Sequence, residues 1–446
     1  MEDFTKGNIS KQLVRFAVPM LIGSLFQQMY GIVDAIVVGQ FLSGGALAAV
    51  GISMTAFQFL IAVLIGLTTG ASVIISQFFG GKQNDRLELA VSTSIVFLAV
   101  FSVIISVLGF VFTPALLRAL NTPYDIMRDA QVYMRIQMLG LVFPVFFNMY
   151  TAYLRAVGNS RSPLYVLIFS TVLNAVLNIV FVIGFGWGIA AVSAGTVISQ
   201  AAAAIMCYVY TRRNVPLLTV SRYVFDKSLF GLILKYGTPA ALQLSFVSLA
   251  ALTITRLINA FGTAAVAGIT AASRIDQMAI LPVSTLSLAL ATFVAQNMGA
   301  GMEERARQGL RTAMLYMVGM AVIISVVLFF VGSWTITLFV DQNDANVAEM
   351  LYVGQNYLRV LVAFYFLFAF LFGFNGFFRG AGDAVIAMVF PVVSLSIRTA
   401  AAYALVHFAG MGPEALAWSI PIGWGATSFG SWVYYRKRLW VGKSVT

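Results

Sequence analysis

An aspartate, Asp34, lies in the middle of the apolar stretch QQMYGIVDAIVVGQ. On an α-helix, Gln27, Tyr30 and Asp34 share one face. An ionisable side chain at that depth in a membrane costs roughly 2.5–3.5 kcal/mol on insertion scales and generally marks an ion or proton pathway. We therefore predict that Asp34 takes up and releases a proton or binds a cation. A carboxylate that is kept neutral for packing is the alternative.

Two further apolar runs carry neutral polar residues at helical spacing. Asn174 and Asn178 are four residues apart in STVLNAVLNIVF, and Thr196 lies among small residues in GIAAVSAGTVIS. Such residues either line a site or hydrogen-bond between membrane helices, and the residues alone leave both interpretations open. Pro19 precedes Asp34 in the first apolar stretch, where it is expected to bend the helix.

The composition indicates the elements that hold these residues. Of 446 residues, 60% are hydrophobic and only 10% are charged, against about 25% charged in soluble domains. This predicts an all-α polytopic membrane protein, since about 20 apolar residues cross the bilayer as a helix. Polar, glycine and proline residues divide the chain into twelve such segments, approximately 12–40, 46–79, 88–116, 127–155, 162–186, 188–211, 230–261, 264–298, 308–340, 347–378, 384–409 and 414–436.

The net charge of +11 follows a membrane pattern. Most of the 27 basic residues flank the same ends of the predicted spans. The positive-inside rule then places both termini in the cytoplasm and the chain in the cell membrane. No separate basic domain for nucleic acid is visible. The single cysteine, Cys207, and single histidine, His407, cannot form a Cys/His zinc cluster.

An internal repeat divides the predicted spans into two halves. Gln77 and Gly80 recur as Gln296 and Gly299, and the run AYLRAVGNS recurs as GFFRGAGDA. The members of each pair follow even-numbered spans, so the halves have the same orientation, as in a parallel repeat. We predict two pseudo-symmetric six-helix bundles. Their boundaries are an N-lobe at 1–211, a cytoplasmic linker at 212–229 and a C-lobe at 230–446.

Two such bundles favour a secondary transporter that works by alternating access, because a cavity at their interface opens to each side in turn. No phosphate-binding loop is present in the sequence, so neither ATP nor another cofactor is expected.

Several runs resemble the multidrug and toxic compound extrusion (MATE) family over nearly the whole chain. They are VDAIVVGQFLSGGALAAVGIS, LRAVGNS, LNAVLN, SAGTVISQ and the repeated glutamine–glycine pairs. The resemblance implies antiport, in which an organic cation or drug is exported in exchange for a proton or Na⁺. It also implies an N-lobe site made of Pro19, Gln27, Tyr30, Asp34, Asn174, Asn178 and Thr196.

One position departs from that family pattern. Relatives usually have aspartate where this chain has Asn178, so Asp34 is the only titratable group of the implied site. Hard cations prefer several oxygen ligands and negative charge. We therefore expect proton coupling, with Na⁺ near Asp34 as the alternative, and a monomer in the lipid bilayer. The rival functions are a lipid-linked oligosaccharide flippase of the same superfamily and, less favoured, a membrane-embedded enzyme.

Charged residues also occur in the C-terminal spans. Arg256 and Asp276 are predicted on neighbouring helices, where we expect them to pair, although Arg256 alternatively extends to the membrane surface. Arg398 lies near mid-span, at the repeat-equivalent position of Asn174. This positive balance predicts that cationic substrates avoid the C-lobe and bind near Asp34.

Overall fold

The structure is a computed structural model that describes residues 1–42, 44–340 and 344–445. In this part of the chain it contains no β-strand. Short turns and loops connect the fifteen α-helices, which are α1 (Ile9–Phe41), α2 (Gly44–Gly80), α3 (Asn84–Ala119), α4 (Met127–Gly140), α5 (Val142–Ala156), α6 (Arg161–Ile179), α7 (Ile189–Asn214), α8 (Lys227–Asn259), α9 (Thr263–Ala279), α10 (Leu281–Gly299), α11 (Glu303–Thr337), α12 (Val347–Ala363), α13 (Tyr365–Ala381), α14 (Ala384–His407) and α15 (Glu414–Arg436).

Nine helices each match one predicted span, and the pairs α4 and α5, α9 and α10, and α12 and α13 each match one more, which confirms the all-α membrane fold. Among the described residues, nine helical spans are long and apolar enough to cross a membrane, or up to eleven if each of two bent helix pairs is one span. The twelfth predicted span is α15, whose glycine, serine and tryptophan residues make it less apolar. It packs against α12, α13 and α14.

Both bent pairs lie at repeat-related positions. The chain turns by 48° between α4 and α5 and by 54° between α12 and α13. Each break lies within the fourth span of its half of the sequence, so the structure repeats a feature that the sequence comparison did not reveal. A different irregularity occurs in α6, which continues as a five-residue π-helical segment, Val180–Gly184.

The chain forms two compact units. The first contains Met1–Phe4 and Val14–Ala241, and the second contains Thr5–Leu13 and Leu242–Val445. Within the first unit α7 packs against α4, α5 and α6, and within the second α13 packs against α10, α11 and α15. The division falls inside α8, so the linker at 212–229 stays a prediction.

Small residues bring two helices of the first unit into close contact. A side chain at Gly66 or Gly70 of α2 would overlap with the backbone of α8 at Ala241 or Gly237. Glycines four residues apart let membrane helices approach in this way. The contact holds the first part of α8 on α2.

Candidate functional site

The Asp34 side chain is buried where three helices of the first unit meet. It lies on α1 and accepts a hydrogen bond from Nδ2 of Asn178 on α6 at 2.6 Å. Its second oxygen, Oδ2, lies 3.4 Å from Oγ1 of Thr196 on α7. That hydroxyl has one proton and lies closer, at 3.0 Å, to the carbonyl oxygen of Val192. The carboxylate therefore has a single close donor.

Asn174 and Tyr30 extend this network. Nδ2 of Asn178 also lies 3.4 Å from Oδ1 of Asn174, and Nδ2 of Asn174 lies 3.4 Å from Oγ1 of Thr196. The Tyr30 hydroxyl donates to the carbonyl oxygen of Thr196 at 3.4 Å. These distances are long for hydrogen bonds. The structure thus brings together Tyr30, Asp34, Asn174, Asn178 and Thr196 around one short contact, that between Asp34 and Asn178.

Oδ1 of Asn178 is buried and has no hydrogen-bond partner among the described residues. It faces Gly195 on α7, where an added Cβ would overlap with it. An unpartnered buried carbonyl usually binds water or an ion, because leaving it bare costs about 1–3 kcal/mol. This oxygen lies on the opposite side of the amide from Nδ2, which donates to Asp34.

A substitution at Gly195 tests the contact between Asp34 and Asn178. We expect Gly195→Ala to fold, because the displaced atom is the end of a side chain, and to push the Asn178 amide away from Asp34. The lost hydrogen bond to a charged group is worth roughly 1.5–3 kcal/mol. Transport by the variant in membrane vesicles should therefore fall about tenfold or more.

Gly31→Ala is the matched control, since an added Cβ at this helical glycine of α1 has no atom within 4 Å. It should transport at the wild-type rate. Wild-type transport by Gly195→Ala as well would show that the Asp34–Asn178 contact is not needed.

A packed apolar cluster lies next to the polar network. Val37 and Val38 follow Asp34 on α1 and are buried against residues of α2, α3 and α7. Tyr133 of α4 and Val192 of α7 belong to the same cluster. One face of α1 beyond Asp34 is thus closely packed, whereas its other face, with Ile36 and Phe41, is exposed.

Two residues of this region were missed in the sequence analysis. Tyr133 is buried, its hydroxyl has no partner among the described residues, and it lies within electrostatic range of Asp34. Gln200 lies close to the Tyr30 hydroxyl. Gln200 follows Thr196 by one helical turn, a spacing that pointed to the same face. The signal for Tyr133 was its recurrence as Tyr357 in the runs AQVYMR and GQNYLR.

The other predicted N-lobe residues lie outside the network. Gln27 is exposed on α1 and makes no hydrogen bond within the described chain. Pro19 lies inside α1, which runs without interruption from Ile9 to Phe41. The predicted roles of Gln27 in a substrate cavity and of Pro19 in bending stay predictions.

The C-terminal charged residues are arranged differently from the prediction. Asp276 accepts a hydrogen bond from the Tyr365 hydroxyl at 2.8 Å, and Arg256 is exposed. No ion pair between Asp276 and Arg256 occurs in the described structure, because Arg256 near the end of α8 faces away from the unit's interior. Arg398 is partly buried and lies within electrostatic range of Asp276.

Few side chains that could bind a metal ion lie near Asp34 or near Asp276. Over residues 1–42, 44–340 and 344–445, no group of three His, Cys, Asp or Glu side chains is close enough to hold a metal ion. A Na⁺ ion at Asp34 would have one carboxylate and the neutral oxygens of Asn174 and Thr196, and the Asn178 amide would have to turn over to add its own oxygen. This donor set fits a weakly held monovalent ion better than a divalent one.

Comparison with known proteins agrees with the sequence and the fold. The family described as MatE matches residues 19–180 and 239–404. The probable multidrug resistance proteins YpnP and YoeA of Bacillus subtilis are each 30% identical. The YpnP match covers 98% of this chain and 97% of YpnP, and the YoeA match covers 91% of this chain and 88% of YoeA.

Solved structures share the fold. A MOP superfamily transporter from Pyrococcus furiosus superposes with a TM-score of 0.91 at 21% identity, covering 98% of this chain and 97% of that chain. The resemblance that the sequence motifs suggested is thereby confirmed. Members of this family are transporters and not enzymes. The chain therefore belongs to the MatE family, the multidrug and toxic compound extrusion transporters.

Proposed function

We propose that this chain is an antiporter that exports organic cations in exchange for protons. One observation carries the proposal: the carboxylate of Asp34 is buried within the membrane and has one close donor, Asn178. Because a buried negative charge with one close hydrogen-bond donor is costly, the carboxylate is stabilised when a proton or a cationic ligand neutralises it. Na⁺ remains the alternative coupling ion.

Competition for Asp34 links the two ligands. The ionised carboxylate attracts a cationic drug, and a proton that arrives from outside removes the charge and releases the drug. Proton and drug must then favour different protonation states or conformations of the protein, because only differential binding couples two ligands. Alternating access of the two lobes would convert this competition into export.

The names of relatives support drugs as substrates. Besides YpnP and YoeA, relatives include the multidrug export protein MepA of Staphylococcus saprophyticus, 24% identical over 406 residues. From the charge distribution along the sequence, we propose that the chain lies in the cell membrane with both termini in the cytoplasm. We also propose that it acts as a monomer. A lipid-linked oligosaccharide flippase would need a strongly basic centre for pyrophosphate and commonly has extra spans. The twelve predicted spans and the acidic Asp34 disfavour this alternative, whereas Arg398 of the second unit favours it.

The purified protein in lipid vesicles tests the proposal. A fluorescent lipophilic cation is loaded, and a pH gradient or a Na⁺ gradient is imposed separately. We expect dye movement with the pH gradient, and its collapse when a protonophore dissipates that gradient. Movement with the Na⁺ gradient alone would establish the sodium alternative. Movement with neither gradient would contradict antiport by either ion.

A further inference from the structure

We propose that the C-terminal unit holds a binding site for the carboxylate group of a substrate, centred on the guanidinium of Arg398. The proposal rests on the export activity proposed above and adds a class of substrates to it. Arg398 lies on α14, near the middle of a span, where a charged side chain is costly unless it has a function or a partner. Its surroundings in the structure indicate which partner is missing.

The Arg398 side chain lacks a partner on one edge. Its Nε atom is buried and has no hydrogen-bond partner among the described residues. Asp276 is near enough for electrostatic attraction, yet the described ion pairs do not include these two residues. Instead, Oδ1 of Asp276 accepts from the Tyr365 hydroxyl at 2.8 Å. The Nε–H of Arg398 is therefore a buried hydrogen-bond donor that no described side chain uses.

The neighbouring helices hold Arg398 in place. Gly423 of α15 lies directly against α14, so that an added Cβ would lie 2.6 Å from the Ser394 carbonyl oxygen and 3.3 Å from Cβ of Arg398. Tyr357 of α12 is buried and interacts with Arg398 from another side. A guanidinium whose stem is fixed in this way loses little entropy when it binds a ligand.

The chemistry of the site favours a carboxylate. Arginine binds carboxylates through two parallel hydrogen bonds from Nε and Nη, and Tyr357 adds a hydroxyl close by. The nearby negative charge of Asp276 disfavours phosphate dianions and pyrophosphate, because like charges repel strongly in a low-dielectric interior. A singly charged organic acid is repelled less by Asp276 than these ligands are, and it can still use the Nε–H donor of Arg398.

The repeat gives the site its place in the fold. Arg398 occupies the position equivalent to Asn174, and Tyr357 the position equivalent to Tyr133. The first unit thus has a carboxylate at its polar centre, while the second unit has a guanidinium at the related place. The charged group at the polar centre of the second unit is therefore opposite in sign to that of the first, which is why we assign an anionic group of the substrate to the second unit.

A pair of dyes tests the proposal. A rhodamine with a free carboxyl group and the methyl ester of the same rhodamine differ only in that group. We expect the wild-type protein in vesicles to transport both. Arg398→Gln should lower transport of the free acid about tenfold or more, because a charge-assisted bidentate contact is lost. It should leave transport of the ester within about twofold of the wild-type rate. Arg398→Lys should give an intermediate loss, since an ammonium keeps the charge without the planar fork.

Arg274→Gln is the matched control, because Arg274 lies exposed on α9 beside the same unit's core. It should leave transport of both dyes unchanged. Equal effects of Arg398→Gln and Arg398→Lys on acid and ester would overturn the proposal. Binding of each dye to the purified protein, followed by fluorescence polarisation, separates this result from a failure of the transport proposal. If the ester is not transported at all, acid-selective binding that depends on Arg398 still supports the site, and its absence refutes it.

Discussion

Asp34→Asn is expected to abolish dye export driven by a pH gradient, to the level of vesicles without protein. The asparagine has nearly the same shape, so the contacts with Asn178 and Thr196 can persist. The variant lacks only the negative charge of Asp34, which a proton neutralises in the wild-type protein. Binding of a cationic drug should also weaken by about tenfold or more, because the charge-assisted contact is worth roughly 1.5–3 kcal/mol.

Folding should not suffer from this substitution. A buried charge with few donors is costly to the folded state, and neutral replacements of such groups are often tolerated or stabilising. The midpoint of thermal unfolding in detergent is therefore expected at or above the wild-type value. Asp125→Asn is the control, as Asp125 is exposed between α3 and α4. Undiminished gradient-driven export by Asp34→Asn would remove Asp34 from the coupling mechanism.

Asn178→Asp is expected to change the coupling ion. Nδ2 of Asn178 lies 2.6 Å from the Asp34 carboxylate, so the variant has two carboxylates in direct contact. Two such groups cannot both be ionised without a counterion, and they share a proton or bind a cation. Na⁺ gains a second negative ligand in addition to the oxygens of Asn174 and Thr196.

We therefore predict that the Asn178→Asp protein transports dye when only a Na⁺ gradient is present. Na⁺ should also protect it from thermal unfolding more than it protects the wild type, since a ligand that binds only the folded state stabilises it. Asn174→Asp places the new carboxylate one helical turn away and serves as a comparison. A variant that still ignores Na⁺ would show that this pocket does not select ions by its charge.

The helices and the Asp34 site were predictable from particular features of the sequence. A span needs a long apolar run, and the chain has few charged residues to interrupt such runs, so the order and approximate bounds of the spans followed. The spacing of Asn174 and Asn178 placed them on one face. Spacing within one helix cannot show that these residues lie near Asp34 on another helix. The family resemblance predicted that proximity.

Other features depend on tertiary packing. The break at Leu141 between α4 and α5 has no proline at the turn itself, and the same holds at Phe364 between α12 and α13. The bond between Tyr365 and Asp276 joins helices that are distant in sequence. The exposure of Gln27 likewise depends on which helices α1 packs against, and the residue type of Gln27 does not show which helices these are.

The π-helical segment Val180–Gly184 has a consequence for Asn178, which lies two residues before its start. A π-helical turn holds about one residue more than an α-helical turn, and such turns frequently occur at functional sites. A shift of this extra residue along the helix would rotate each residue that it passes by about 100°, the angle per residue of an α-helix. Such a shift past Asn178 would turn that amide away from Asp34. The Asp34 carboxylate could then exchange its hydrogen-bond partner through a local change in the backbone of α6.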